Sequence, residues 1–327
     1  MGALTILITG ANGFLGRACT EAALARGHKV RALVRSEGAV LPGVEVFTAD
    51  LADAPPFAAV DGVDAVIHAA ATLSPDAADQ ARDTLGATLN LLAALEQHPA
   101  RLVLVSSMSV YAAPAKYGTI DEHSPLEPQP RQRDAYMRAK LAQEGAAMAH
   151  AKATGQELRV MRAGAIFGPG RIWNAHLGLR KGNTLLRLGG TGELPLTYID
   201  HCAEALVIGA ETSIAPINAE AAPTNIDIIN VVDDDLPDRS TYIQAMTRAG
   251  WPRLVLPLPW RVLDFTGPYL AKLPKIGSRL PGLFKQPTLR ARMAPARYSN
   301  AKLNALGWQP KLSFQAAMDA AQSGEIS

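Results

Sequence analysis

The sequence predicts an α/β fold, in which a doubly wound parallel sheet is accompanied by a smaller, mostly C-terminal domain. Short apolar segments alternate with segments of helical periodicity through the first half of the chain. A glycine-rich turn joins the first apolar segment to the first helical one. Regular periodicity weakens after Gly168. Because strands that alternate with helices build a parallel sheet covered on both faces, these observations favour the α/β class.

Each predicted element rests on its apolar pattern. The predicted strands are short apolar runs at residues 4–9, 29–34, 44–47, 65–68, 101–106, 158–162 and 226–232. The predicted helices repeat apolar residues every three or four positions, at residues 14–26, 77–97 and 134–153. The last predicted strand, residues 226–232, is expected to return to the main sheet.

Composition excludes several classes of function. The 327 residues carry a formal net charge of +2 with 19% charged residues, and no basic stripe indicates nucleic acid as a partner. Cys19 and Cys202 show no metal-ligand spacing, so we expect two buried thiols in a reducing compartment and no metal site. The N-terminus does not resemble a signal peptide and no run of 18 apolar residues occurs, which predicts a cytoplasmic protein without a membrane anchor.

A glycine-rich turn follows the first strand with the spacing GxxGxxG. Glycines there allow a tight turn and let a pyrophosphate approach backbone N–H groups at the helix N-terminus, which carries a partial positive charge. The turn predicts a Rossmann-type dinucleotide site that uses Gly10, Asn12, Gly13, Phe14, Leu15 and Gly16. It assigns residues 1–167, with about 196–234, to an NAD(P)-binding domain. Residues 168–195 and 235–327 are then predicted to form the substrate-binding subdomain.

The ends of the next strands supply further predicted contacts with the dinucleotide. Arg35 stands where NAD sites usually have an acid, and an arginine there accommodates the 2′-phosphate of NADP, so we favour NADP over NAD. Asp50 and Leu51 follow the third strand, where the carboxylate either hydrogen-bonds adenine or caps a turn. Small residues after the fourth strand either let the backbone approach the cofactor or allow tight packing: Ala69, Ala70 and Ala71.

A candidate catalytic group combines three residues. Tyr136 and Lys140 are four apart on a predicted helix and therefore share one face. The ordinary pKa of tyrosine is ~10, and we expect the Lys140 ammonium, with a bound cationic nicotinamide ring, to lower it so that Tyr136 exchanges a proton with a substrate oxygen. Ser107 follows the fifth strand at the carboxyl edge of the sheet, where its hydroxyl would hold that oxygen.

These residues together resemble the extended short-chain dehydrogenase/reductase superfamily. The resemblance implies a catalytic triad of Ser107, Tyr136 and Lys140, with Tyr136, Lys140 and Ala163 also contacting the cofactor. It extends over nearly the whole chain, in the glycine-rich turn, Asp50-Leu51, His68-Ala69-Ala70, Ser106-Ser107 with Val110-Tyr111, Tyr136-Met137-Arg138-Ala139-Lys140, Arg162 to Gly170, Tyr198-Ile199-Asp200 and Leu306-Gly307-Trp308-Gln309-Pro310.

Three branches of the superfamily differ at a few positions. Sugar-nucleotide dehydratases carry an Asp-Glu pair after the catalytic Ser, whereas this chain has Met108 and Ser109. Sugar-nucleotide epimerases usually carry Asn where Ala165 stands. The 3β-hydroxysteroid dehydrogenase-like branch resembles the chain around Gly168 and at Gln286-Pro287-Thr288-Leu289 and Arg297-Tyr298-Ser299-Asn300-Ala301-Lys302. Asp83 replaces the helix Asn that often supports a proton relay in the superfamily.

The sequence therefore predicts an NAD(P)-dependent oxidoreductase that interconverts a secondary alcohol and a ketone. The alternative is a sugar-nucleotide epimerase with tightly bound NAD. Residues 254–285 are apolar and rich in proline, which fits a lid over a hydrophobic small-molecule substrate, an interfacial segment, or a subdomain packed on its own core. The resemblance also suggests a homodimer formed through helices.

Overall fold

The computed structural model describes residues 2–36, 42–114, 117–189, 191–214, 225–270 and 285–324. Its strands, in chain order, are β1 (Thr5–Thr9), β2 (Lys29–Val34), β3 (Glu45–Thr48), β4 (Ala65–His68), β5 (Arg101–Ser107), β6 (Thr119–Ile120), β7 (Leu158–Ala163), β8 (Ala165–Phe167), β9 (Gly178–Lys181), β10 (Thr184–Leu188), β11 (Leu196–Tyr198), β12 (Ile226–Val231), β13 (Leu254–Leu258) and β14 (Arg297–Tyr298).

The α-helices, in chain order, are α1 (Phe14–Ala25), α2 (Phe57–Val60), α3 (Ala77–Gln80), α4 (Ala87–Gln97), α5 (Ala135–Thr154), α6 (Ile199–Glu211), α7 (Arg239–Arg248), α8 (Trp260–Leu270), α9 (Gln286–Met293), α10 (Ala301–Ala305) and α11 (Phe314–Ser323). A π-helical turn, Ala81–Gly86, joins α3 to α4, and short 3-10 turns occur at Met108–Val110, Pro130–Gln132 and Ala175–Leu177. No helix in the described part of the chain is long and apolar enough to cross a membrane.

Seven parallel strands form the central sheet in the order β12-β7-β5-β4-β1-β2-β3. This confirms the predicted doubly wound α/β fold, and β12 returns to the sheet as expected. The strand order reverses between β1 and β4, which places the ligand crevice outside the carboxyl ends of these two strands. The boundaries between the two predicted domains stay a prediction.

Alternating side chains of the strands pack into two cores, one on each face of the sheet. Ile6 and Ile8 of β1 join a core with α1 and α6, whereas Leu7 between them joins a core with α2, α4 and α5. This alternation follows from the two-residue repeat of a strand. Because both faces are covered, the edge at the carboxyl ends of the strands is the side on which functional residues collect.

The second half of the chain holds strands that the sequence did not reveal. β9 pairs antiparallel with β10, and β10 pairs in parallel with β13, forming a separate three-stranded sheet. β8 pairs with β11, directly beside the carboxyl end of β7. The predicted helix over residues 77–97 is helical throughout but contains the π turn. Residues 271–284 of the proline-rich segment lie outside the described residues.

Candidate active site

The glycine-rich turn leaves space where side chains would collide. A Cβ on Gly16 would lie 2.1 Å from the Gly10 carbonyl oxygen, and one on Gly10 would lie 3.0 Å from Ala70 Cα. Gly10 also adopts a φ of +68°, which favours glycine. Gly13 caps α1 without a side-chain hydrogen bond, so backbone N–H groups of the first turn are available to a ligand. The turn therefore fits the pyrophosphate of a dinucleotide.

A cleft of about 340 Å³ opens above this turn. It is lined by most of the predicted cofactor-binding residues: Gly10, Asn12, Gly13, Arg35, Asp50, Leu51, Ala69, Ala70 and Ala71. Residues that the sequence analysis did not assign to the cofactor complete the wall: Leu33, Val34, Ser36, Ala49, Thr72, Asp83 and Ala87. Phe14, Leu15 and Gly16 form the first turn of α1 instead, and Ala163 is buried at the end of β7 beside Ser107.

Charged side chains gather at the far end of the cleft. Arg35 is mostly exposed, and its Nη1 lies 3.7 Å from Asp83 Oδ2. Arg82 contacts Asp83 and, at 2.9 Å each, Asp50 and Asp53. Asp50 Oδ1 also accepts from the Ala52 N–H at 3.0 Å, and this bond and Arg82 hold the pKa of Asp50 below its usual range. Asp50 thus closes a turn, the second of the two roles considered from the sequence.

Ser107 and Tyr136 meet at the carboxyl edge of the sheet. Ser107 ends β5, and Tyr136 lies in the first turn of α5, which begins after the Asp134 N-cap. The Asp134 carboxylate accepts from the Met137 N–H at 2.9 Å and so fixes the start of the helix. The Ser107 hydroxyl hydrogen-bonds to the Tyr136 side chain, which favours the phenolate. The structure therefore brings together two of the three residues predicted to handle a substrate oxygen.

The lowering of the Tyr136 pKa that we predicted from Lys140 together with a bound nicotinamide ring stays a prediction. Burial raises the pKa of Tyr136 above its ordinary value, and the bond from Ser107 and the charge of Arg292 only partly oppose it. The Lys140 Nζ lies 6.0 Å from the Tyr136 ring centroid and donates hydrogen bonds to other partners. Tyr136 is therefore a protonated phenol at neutral pH.

Lys140 is anchored beneath the catalytic edge. Its Nζ donates to the Val105 carbonyl oxygen at 2.8 Å and to Gln143 Oε1 at 2.9 Å. Burial lowers the pKa of Lys140 to about 8, although the nearby Glu144 carboxylate opposes this shift. An ammonium has three N–H donors, so one remains for a ligand such as a ribose hydroxyl or for Tyr136.

A buried hydrogen-bond chain continues from Gln143 to the glycine-rich turn. Gln143 Nε2 donates to Thr88 Oγ1 at 2.7 Å, and the Thr88 hydroxyl donates to the Thr84 carbonyl oxygen at 2.8 Å. His68 Nε2 lies 2.9 Å from Thr88 Oγ1, and its Nδ1 lies 2.8 Å from Thr9 Oγ1. Because the Thr88 proton is already used, the pattern assigns the His68 proton to Nε2. Burial lowers the pKa of His68 to about 3, so the ring is neutral.

Sequence reasoning missed the residues that support this group. Gln143 lies one turn beyond Lys140, and its i, i+3 spacing was the one available signal. Asp83, taken from the resemblance as a relay position, instead faces Arg35 and Arg82 in the cleft. The side chain that accepts the hydrogen bond from Lys140 is that of Gln143. Arg292 approaches from α9, far along the chain, and no local pattern marked it.

The described residues contain no group of three or more metal-ligating side chains. A glycine cradle, an uncapped helix N-terminus and a Ser-Tyr-Lys group at one sheet edge define the class of dinucleotide-dependent enzymes of the extended short-chain dehydrogenase/reductase type. The model of the NAD dependent epimerase/dehydratase family matches residues 6–218. The chain belongs to this family.

Individual relatives agree with this assignment. The chain is 34% identical over 273 residues to a 2-alkyl-3-oxoalkanoate reductase of Stenotrophomonas maltophilia, covering 77% of each protein. It is 32% identical over 178 residues to a 3 beta-hydroxysteroid dehydrogenase/Delta 5-->4-isomerase of Mycobacterium tuberculosis, covering 50% of this chain and 48% of that protein.

Among solved structures, a UDP-glucuronic acid 4-epimerase from Bacillus cereus in complex with NAD superposes with a TM-score of 0.70. The match covers 98% of this chain and 97% of that one at 19% identity, which shows the shared fold alone.

Proposed function

We propose that the enzyme reduces a ketone to a secondary alcohol, and catalyses the reverse oxidation, with Tyr136 as the general acid and base. The hydrogen-bonded pair of Ser107 and Tyr136 beside the nucleotide cleft carries this proposal. When bound, the nicotinamide cofactor supplies the hydride for reduction or accepts it in the reverse direction. The residues of the chain bind, orient and move the proton.

The protonation state of Tyr136 favours the direction of reduction. Burial keeps the phenol protonated, so it can donate its proton to the oxygen of a ketone as that oxygen gains negative charge. The Ser107 hydroxyl stabilises the phenolate that remains and orients the substrate oxygen. The free Lys140 donor would hold a ribose hydroxyl of the bound cofactor, and the positive charge of Lys140 would lower the free energy of the Tyr136 phenolate.

Two observations favour a reductase over an epimerase. The relative that is 34% identical over most of both chains is a reductase of 2-alkyl-3-oxoalkanoates, which are ketones. Ala165 stands where sugar-nucleotide epimerases usually carry Asn. An epimerase must retain its NAD through every cycle, whereas a reductase must exchange its cofactor after each turnover.

The test is to measure the nucleotide released by denaturing freshly purified enzyme, followed by ketone reduction with added cofactor. We expect little retained nucleotide, and NADPH oxidation that depends on the ketone. Stoichiometric retained NAD⁺, together with interconversion of UDP-sugars without net cofactor use, would overturn the proposal in favour of the epimerase.

Arg35 supports a preference for NADP. Its exposed guanidinium lies at the ribose end of the cleft, where a 2′-phosphate would accept from it, although Asp83 at 3.7 Å offsets part of its charge. Arg35→Ala should lower the ratio of kcat/KM for NADPH to that for NADH about 10-fold, as expected for one charged hydrogen bond. Arg248→Ala, on the remote helix α7, is the matched control. A wild-type enzyme that prefers NADH would contradict the assignment.

A cytoplasmic location and a homodimer belong to the same proposal. Cys19 and Cys202 are both free and buried, and burial raises the pKa of each thiol, so both remain unreactive thiols. Light scattering after size-exclusion chromatography tests the dimer: a monomer mass at micromolar concentration would contradict it.

A further inference from the structure

Two arginines on α9 have different surroundings. Arg290 forms a two-bond ion pair with Asp264, through Nε to Oδ1 at 2.8 Å and Nη2 to Oδ2 at 3.1 Å. Arg292 lies nearer the catalytic edge, with 27% of its side chain exposed, and its Nη2 is 3.7 Å from Asp134 Oδ2. Asp134 is the N-cap of the helix that carries Tyr136. Arg292 thus stands beside the start of the catalytic helix.

The Arg292 guanidinium has unused donors. Within the described residues its side chain makes no hydrogen bond, and the 3.7 Å approach to Asp134 is longer than one. The Asp134 carboxylate is already engaged, by the Met137 N–H at 2.9 Å and weakly by the Thr288 hydroxyl at 3.4 Å. The Asp134 carboxylate therefore orients the Arg292 guanidinium but accepts no hydrogen bond from it. Burial lowers the pKa of Arg292, as expected for a desolvated charge without a close partner.

The positive charge of Arg292 acts on Tyr136 through space. Its charge lowers the pKa of Tyr136, and the Tyr136 phenolate in turn raises the pKa of Arg292. The same charge, after burial, helps to lower the pKa of His176, so that this neighbour stays neutral. The nearby Arg133 is paired with Glu127 at 2.9 Å, and Arg239 donates to the Arg292 carbonyl oxygen. Arg292 is accordingly a cation whose side chain makes no hydrogen bond within the described residues and whose charge acts on Tyr136.

We propose that Arg292 binds a carboxylate of the substrate, so that the enzyme acts on oxo acids and the corresponding hydroxy acids. A guanidinium presents paired N–H donors that match a carboxylate in two parallel hydrogen bonds. The ketone oxygen then lies against Ser107 and Tyr136 while the acid group lies against Arg292. This inference rests on the proposed ketone reduction.

The reaction balances with the carboxylate unchanged. Hydride from the nicotinamide cofactor adds to the carbonyl carbon, and the carbonyl oxygen takes the Tyr136 proton. The products are the hydroxy acid and the oxidised cofactor, and solvent replaces the proton on Tyr136.

The experiment compares 3-oxooctanoate with its methyl ester, which has the same ketone but no charge. Steady-state reduction by NADPH is measured for the wild type, Arg292→Met and the matched control Arg290→Met. We expect the wild type to prefer the acid, and Arg292→Met to lower the acid-to-ester ratio of kcat/KM about 30- to 100-fold, as the loss of a charged hydrogen-bond pair implies. Arg290→Met should keep the wild-type ratio.

Two outcomes overturn the inference while leaving ketone reduction intact. One is a wild type that reduces ester and acid equally well. The other is an acid-to-ester ratio that is the same in Arg292→Met and Arg290→Met. Failure of the wild type to reduce either probe counts against the proposed reduction instead.

In that case the melting temperature decides the binding question separately. A rise with 3-hydroxyoctanoate that Arg292→Met abolishes supports the carboxylate site. A rise with UDP, but not with the hydroxy acid, that the same variant abolishes overturns it in favour of a diphosphate.

Discussion

At the scale of single residues, the site holds a buried cation at a cost in stability. The Lys140 ammonium is buried, and its pKa is lowered to about 8 from an ordinary value of 10.5. The nearby Glu144 carboxylate opposes this shift, so Lys140 stays charged near neutral pH while it donates to the Val105 carbonyl oxygen and Gln143. The protein therefore keeps a destabilising charge near Tyr136, where the proposed mechanism forms a phenolate.

The lowered pKa of Lys140 predicts that the stability of the protein depends on pH. Between pH 8 and 10.5 the folded protein releases the Lys140 proton while the unfolded chain keeps it, so the unfolded state binds more protons and stability rises with pH. The difference in unfolding free energy between wild type and Lys140→Met should change by about 3 kcal/mol across this window, as measured by urea denaturation. Lys152→Met, exposed on the same helix, should show no such change. Parallel curves for all three proteins would contradict the assignment.

Residue patterns predicted only part of the site. Ser107, Tyr136 and Lys140 were predicted because a strand end and an i, i+4 spacing are local signals. Arg292 reaches the site through the packing of α9, more than 150 positions from Tyr136, so no local pattern could mark it. The raised pKa of Tyr136 depends on burial, which the sequence does not contain.

At the scale of elements, the glycine-rich turn combines backbone conformation with close packing. A Cβ on Gly16 would fall 2.1 Å from the Gly10 oxygen, so the turn would have to move.

The strands of the central sheet were predicted because buried parallel strands are apolar runs. By contrast, β9 and β10 are short and contain Arg180 and Arg187, and β9 begins at Gly178, so they lacked that signal.

Gly16→Ala should weaken NADPH binding at least 10-fold and lower the melting temperature, because the displaced turn loses its fit to the pyrophosphate. Gly145→Ala is the matched control, since Gly145 lies in α5 and a Cβ added there would meet no atom within 4 Å. That change should raise stability by up to about 1 kcal/mol through helix propensity alone. Fluorescence titration and thermal unfolding measure both effects; wild-type binding by Gly16→Ala would exclude a tight role for the turn.

At the scale of the whole molecule, the parallel sheet brings distant segments to one edge. β1, β4 and β5 end beside one another, and a buried polar chain links their ends to α5 through Thr9, His68, Thr88 and Gln143. The end of β1, which leads into the glycine-rich turn, and Lys140 are thus joined through the interior. The sequence predicted the strand ends, whereas the connection between them depends on packing.

The neutral state of His68 makes this interior sensitive to acid. Its pKa is about 3 in the folded state against an ordinary value of 6.5, so the unfolded chain binds more protons between these values and stability falls as pH falls through this window. The loss attributable to His68 is on the order of 5 kcal/mol. His68→Gln should flatten this part of the stability curve, whereas His98→Gln, on the surface, should not. Equal acid sensitivity in both variants would contradict the neutral assignment.

The central claim is that Tyr136 transfers the proton at a site built to bind a dinucleotide. The most direct measurement compares turnover of a ketone and binding of NADPH in wild type and Tyr136→Phe. Loss of the hydroxyl should reduce kcat by about 10³-fold, within the range of general acid catalysis, while the Kd for NADPH changes less than about threefold because the cleft and the glycine turn are intact. A variant that retains wild-type turnover would contradict the mechanism.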